Sequence, residues 1–275
     1  MMGIGNVSER RDEVPQVGVT SVILALGPAD GGVRRRLWLP LVRRVREPFL
    51  GAWALPGGPL KAGRSLERSA YETLASTTDL HPGYLEQLYT FGDPERSHGG
   101  VPMVSICYWA LVGQVDVASL EPKHNVAWFA EDALPELAFD HRRIVDYAIW
   151  RLRHRLDMPK VVRELVGGTF TLRELHAVSE AVEGHPIDLA NFRRRTLASG
   201  MLEETGEHRR VGRQRPAALY RFRADVAPAD DGALPQGFDA GDLSRIAAHA
   251  ADERTAGGRD GHPDAIAALT TDVRP

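Results

Sequence analysis

Residues 57–80 read GGPLKAGRSLERSAYETLASTTDL, and this stretch decides the fold. It opens on a glycine-rich turn behind Trp53-Ala54-Leu55-Pro56 and runs into a helix. Ser65 stands where an N-cap belongs, and Leu66, Ala70 and Leu74 recur every four residues, so the spacing predicts a helix over residues 65–80. Upstream, residues 17–26 (VGVTSVILAL) form a near-continuous β-branched run, which predicts a buried strand. Residues 37–42 (LWLPLV) predict a second strand, with Pro40 consigning it to an edge or a bulge. Residues 51–58 (GAWALPGG) are a short apolar piece stopped by Pro-Gly-Gly. Downstream, residues 84–91 and 103–112 predict paired strands around a long polar loop, 92–100, and residues 124–129 a further strand. Residues 140–156 predict a helix with Ile144, Ala148, Leu152 and Leu156 along one stripe.

The whole chain bounds this reading. At 275 residues and 43% hydrophobic, it holds enough apolar material for one or two cores. A net charge of −3 excludes a wholly basic coating protein while leaving room for a local basic patch. The single cysteine, Cys107, excludes a disulfide framework and a thiolate zinc site within one chain. The first residues lack an apolar signal core, and the longest apolar run is well below the roughly 20 residues that cross a bilayer. The expectation is a soluble, cytoplasmic protein with no membrane partner.

Counted from Gly58, the opening stretch resembles a Nudix box, G-x5-E-x7-R-E-U-x-E-E-x-G-U with U aliphatic. The glycine, Ser65, the aliphatics Leu74 and Leu80 and the spacing match; the acidic positions do not. The first Glu position is Arg64, the Arg-Glu pair is Glu72-Thr73, the Glu-Glu pair is Ser76-Thr77, and the last Gly is Asp79. Nudix hydrolases cleave diphosphates with magnesium held by helix glutamates, and such a hard cation needs carboxylate oxygens. Glu67 and Glu72, five residues apart, project about 140° apart on a helix and cannot make that cluster. The resemblance therefore implies a Nudix-like fold that binds a nucleotide, with no metal, no catalytic residues and no required cofactor: not an enzyme.

A second pattern begins after Asp157-Met158-Pro159, read as a hinge because proline breaks helices. Helices are predicted at residues 160–165, 171–182 and 188–199, and short strands at 201–202 and 217–222, the outline of a winged helix-turn-helix. Thr171 and Glu174 form a capping box, and Asp188 caps the third helix. At 100° per residue, Leu189, Phe192 and Leu197 fall on the core side, and Asn191, Arg194 and Arg195 opposite. Asparagine and arginine are the usual bidentate readers of adenine and guanine. Arg193 lies near the core edge, and Arg209, Arg210, Arg213 and Arg215 surround the wing tip. Residues 186–223 hold nine arginines against four acids, a basic island in an acidic chain. Thr171, Asn191, Arg193, Arg194, Arg195, Arg209, Arg210, Arg213 and Arg215 are the expected DNA contacts.

In order, WALPGG (53–58), the loop before VSICYWALV, LAFDH (137–141), NFRRR (191–195) and RPAALYRF (215–222) make the chain similar to the Nudix-related transcriptional regulators of NAD metabolism. The resemblance covers about residues 17–224. It implies an α+β protein: a Nudix-like α/β/α sandwich at 16–156, then a winged helix at 157–225. Composition predicts a flexible N-terminus (1–15) and an acidic tail (226–275) with a weak helix near 239–253 and otherwise no order; the resemblance stops short of both. It further implies a dimeric repressor of NAD synthesis or salvage genes that binds a palindromic operator in double-stranded DNA and senses ADP-ribose or a related nucleotide. A diphosphate needs fixed cations: Arg43, Arg44, Arg64 and Arg96 are the candidates, with Trp53 or Phe139 for the adenine and His141 read as a helix cap. The alternative is a magnesium-dependent hydrolase of ADP-ribose with an accessory nucleic-acid-binding domain.

Overall fold

Strand β1 (Gln16–Pro28) is the spine of the fold, because its apolar run is covered on both faces: Gly18 through Gly27 are all buried. The computed structural model describes residues 14–29, 34–79, 82–97, 101–114, 125–210 and 215–224, all within the unit Met1–Ala233. Strand β1 runs parallel to β6 (Met103–Gln114) and antiparallel to β2 (Arg35–Arg43). On the far side of β6 lies β5 (Tyr84–Phe91), antiparallel as expected for paired strands. The sheet is completed by β3 (Trp53–Ala54), beside β2, and β4 (Gly57–Pro59), beside β1. Strand β7 (Val126–Ala130) pairs with β2, giving seven strands in the order β3-β2-β1-β6-β5 with β4 and β7 as branches.

Helix α1 (Leu66–Thr78) covers one face, placing Ala70 and Leu74 against Val19, Ile23, Ala25, Tyr108 and Ala110. Ser65 caps it by accepting the Arg68 N–H. Asp79, at the box's glycine position, closes it in the left-handed region at φ 57. Since Tyr108 and Ala110 face α1, pleating turns Cys107 and Trp109 to the other face. There α2 (His141–Arg153) lays Tyr147 edge-on to Tyr89 and Phe91 of β5, so helices cover both faces of the sheet.

The remaining elements are α3 (Pro159–Val166), α4 (Leu172–Glu183), α5 (Leu189–Ala198), β8 (Leu202–Arg209) and β9 (Ala217–Phe222). Their core is Val162, Phe170, Leu175, Phe192 and Phe222. The Thr171–Glu174 capping box forms as read from sequence. Beside the packing of α3 on β5 and β6 and of α4 on β2, two side-chain hydrogen bonds tie this part to the rest of the fold. Glu164 of α3 accepts the Gly83 N–H at 3.1 Å, where a β-carbon on Gly83 would collide with the carboxylate. Arg153, ending α2, donates through Nε to the Val182 carbonyl at 2.9 Å and meets Glu131 at 3.5 Å.

The structure corrects several expectations. Strand β2 is no simple edge, since Leu39–Leu41 pair with β7; Pro40 lies between the end of β1 pairing at Trp38 and the start of β3 pairing at Val42. Helix α2 stops at Arg153, so Leu156 lies beyond its stripe. Pro159 starts α3 rather than breaking a helix, because its missing N–H costs nothing at a first-turn position. On α5, Phe192 alone of the three apolar residues is buried; Leu189 and Leu197 stay 44% and 46% exposed. The first wing strand runs over Leu202–Arg209, far longer than expected. The expected tail, most of the N-terminus and Arg213 lie outside the described residues.

Candidate effector site and candidate nucleic-acid interface

The β2–β3 connection and the start of α2 converge. Arg43 and Trp53 are register partners, and the Trp53 carbonyl accepts the Ala138 N–H at 2.8 Å, drawing residues 137–141 alongside β3. Arg44 stacks over Phe139 at 4.6 Å, and Phe49 meets the same ring edge-on at 4.7 Å. Phe49 (φ 65) and Phe139 (φ 56) both adopt left-handed backbone, which costs non-glycine residues about 1–3 kcal/mol each and gathers at ligand-binding turns. Arg43 Nε donates to the Gly51 carbonyl at 3.1 Å and Arg44 Nε to that of Pro48 at 2.8 Å, so both are oriented by backbone. Trp53 itself packs edge-on to Phe129.

Arg96 has another use. Its guanidinium is buried, held bidentately by Asp140 at 2.9 and 3.0 Å, and donates to the Met103 carbonyl at 3.3 Å. Asp140 occupies the N-cap of α2 without a side-chain cap bond, because its oxygens are spent on Arg96. Nor is His141 the cap: its Nδ1 accepts the Leu55 N–H at 2.9 Å, tying α2 to the turn before the box. Phe49, Asp140 and this histidine bond escaped the sequence reading, since no periodicity marks a loop phenylalanine and no spacing reveals a partner 86 residues away. Arg64 pairs with Glu72 on α1.

Burial pushes His141 down to about 4 from 6.5; Asp140 opposes that shift, and Arg96 and Arg44 reinforce it. The unfolded chain therefore takes up a proton between pH 6.5 and 4 that the folded protein refuses. Stability is expected to fall by about 3 kcal/mol as pH drops through that window. Urea unfolding of the wild type and His141→Gln at pH 7.5 and 4.5 checks this; equal slopes in both proteins would refute the assignment.

A magnesium site fits α1 poorly. Thr73, Ser76 and Thr77, at three of the box's acidic positions, turn their hydroxyls onto helix carbonyls of Ser69 and Thr73 at 2.8, 3.0 and 2.7 Å. Among the described residues, no three His, Cys, Asp or Glu side chains gather as metal ligands. Cys107 is buried, and burial raises its thiol pKa, so it offers no reactive thiolate.

On α5, Asp188 accepts the Asn191 N–H at 2.8 Å and fixes the first turn. Asn191, Arg193, Arg194 and Arg195 are all exposed, and Arg194 donates to Asn191 Oδ1 at 2.8 Å. Arg210 and Arg215 are exposed, one directly after β8 and the other two residues before β9. Two other expected contacts also have partners within the fold. Thr171 is 5% exposed and serves as cap. Arg209 is held on the Glu174 carboxylate at 2.9 and 3.1 Å and on the Thr169 carbonyl.

A helix-covered sheet carrying a box-like turn and helix, joined to three helices and a hairpin, defines the class: a Nudix-like domain with a winged-helix domain. The family model of the NrtR DNA-binding winged helix domain matches residues 162–222. The chain is 33% identical over 207 residues to the ADPR responsive transcriptional repressor NtrR of Acinetobacter baylyi, across 74% of this chain and 81% of that protein. The crystal structure of Shewanella oneidensis NrtR complexed with a 27mer DNA matches with a TM-score of 0.58 and 34% identity, over 75% of this chain and 93% of that one. An ADP-ribose pyrophosphatase of Methanocaldococcus jannaschii is 30% identical over 132 residues, 46% of this chain and 78% of that protein. The chain belongs to the NrtR family of Nudix-related transcriptional regulators, as its motifs implied. No helix among the described residues is long and apolar enough to cross a membrane.

Proposed function

We propose that this protein is a cytoplasmic, homodimeric repressor of NAD synthesis or salvage genes. It reads operator DNA with α5 and the wing, and its Nudix-like domain, residues 16–156, binds ADP-ribose or a related nucleotide without hydrolysing it. The observation that carries the reading is α5 itself: one buried anchor, Phe192, presents an otherwise exposed helix bearing Asn191, Arg193, Arg194 and Arg195. The Phe139 cluster is the proposed nucleotide site, with Phe49 added to Arg43, Arg44, Trp53 and Phe139. Arg96 acts there by positioning Asp140. A ligand alters DNA affinity only through its differential affinity for the DNA-competent state. Helix α2 links the two sites, beginning at His141, two residues after Phe139, and ending at Arg153, which donates to the Val182 carbonyl of α4.

The test is fluorescence anisotropy with duplex DNA from upstream of the neighbouring genes, with and without ADP-ribose. The wild type should bind, with an affinity that ADP-ribose changes. Arg194→Ala and Asn191→Ala should each weaken binding by about tenfold or more, the worth of one base contact. Retained affinity in both variants would refute the interface. The pyrophosphatase relative supports a second reading, a hydrolase; release of AMP from ADP-ribose in magnesium buffer would favour it.

A further inference from the structure

Two arginines share one carboxylate over the first turns of α1. The turn closed by the Arg64 N–H on the Lys61 carbonyl, with Gly63 at φ 76, folds the Arg64 side chain back onto the helix. Arg64 pairs with Glu72 Oε2, and Arg68 Nε donates to Glu72 Oε1 at 3.0 Å. Arg64 and Glu72 are each about a third exposed, Arg68 much more so. Against the box pattern, Arg64 and Glu72 are exchanged: the cation stands at the first acidic position. With Lys61 and Arg64 leading into the helix and hydroxyls replacing the later acids, this face suits an anion better than a magnesium ion.

We propose that Arg64 and Arg68 form a metal-independent phosphate subsite, and that Glu72 is its internal competitor. When the phosphates of a nucleoside diphosphate arrive, the guanidinium groups exchange one carboxylate for phosphate oxygens. The exchange is favourable because the pairs given up are solvent-exposed and therefore weak, while guanidinium binds phosphate bidentately and with more charge. This rests on the reading that the domain binds ADP-ribose or a similar nucleotide.

The experiment is calorimetric titration of the full chain with ADP-ribose in buffer containing EDTA. The wild type should bind without magnesium. Glu72→Gln, which frees both arginines, should bind about three- to tenfold more tightly. Arg64→Ala and Arg68→Ala should each weaken binding by about tenfold, and Arg64→Lys should recover part of the loss. Should the wild type bind in EDTA while Glu72→Gln and Arg64→Ala stay within twofold of it, the subsite is wrong and the effector reading survives. Binding that requires magnesium and is lost in Glu72→Gln would make Glu72 a metal ligand and overturn the proposal. A wild type that binds no ADP-ribose in either buffer would overturn the effector reading and this subsite with it.

Discussion

Arg96→Ala is expected to cost about 3–5 kcal/mol of stability, because it strips the partner from a buried charge. Arg96 is 4% exposed and Asp140 16%, and the guanidinium donates to both Asp140 oxygens and to the Met103 carbonyl. Alanine would leave the carboxylate in a poorly solvated place without its counter-charge. Removing both charges should cost much less than removing one, since the desolvation penalty leaves with the pair. Urea unfolding of Arg96→Ala, Asp140→Ala and the double variant measures this. A single-variant loss below about 1 kcal/mol, the level of a surface pair, would contradict the account. Nucleotide binding should fall with stability, because the turn through Phe139 and His141 is built on that pair.

Phe192→Ala should abolish DNA binding without touching an arginine. Phe192 is the buried residue of α5, 9% exposed, edge-on to His176 at 5.1 Å and packed among Val162, Phe170, Leu175 and Phe222. Truncating a buried phenylalanine costs about 3–5 kcal/mol, comparable to the stability of a small domain. With Leu189 and Leu197 exposed, no second apolar anchor holds the helix. Circular dichroism and anisotropy together report the result: helix content falls and affinity collapses. Phe192→Leu should keep most of both. Full affinity in Phe192→Ala would mean that α5 is held by other contacts.

Much of the architecture was legible because it rests on local rules. The run at residues 17–26, the Ser65 cap and the Thr171–Glu174 box each act within a few residues, and each element formed where read. Failures came where a long-range partner overrode a local pattern. The apolar stripe continues to Leu156, but the helix ends at Arg153, whose side chain is drawn to Val182. Helical geometry placed Leu189 on the core side, yet it stays 44% exposed while Phe192, three residues on, joins Val162, Phe170, Leu175 and Phe222 in the core. Charge marked Arg96 and Arg209 as candidate ligand groups, and it gave no sign that each also meets a carboxylate 44 or 35 residues away. A sequence displays its cations; it does not display which are already taken.

The fastening of the winged part at Gly83 and at Val182 carries a mechanical corollary. Helices α3 and α4 also lie against β5, β6 and β2, so the winged part cannot swing as a free hinge. A tilt of α5 that carries these helices along must slide those packed faces, and the Gly83 and Val182 bonds, made to different helices, would then strain unequally.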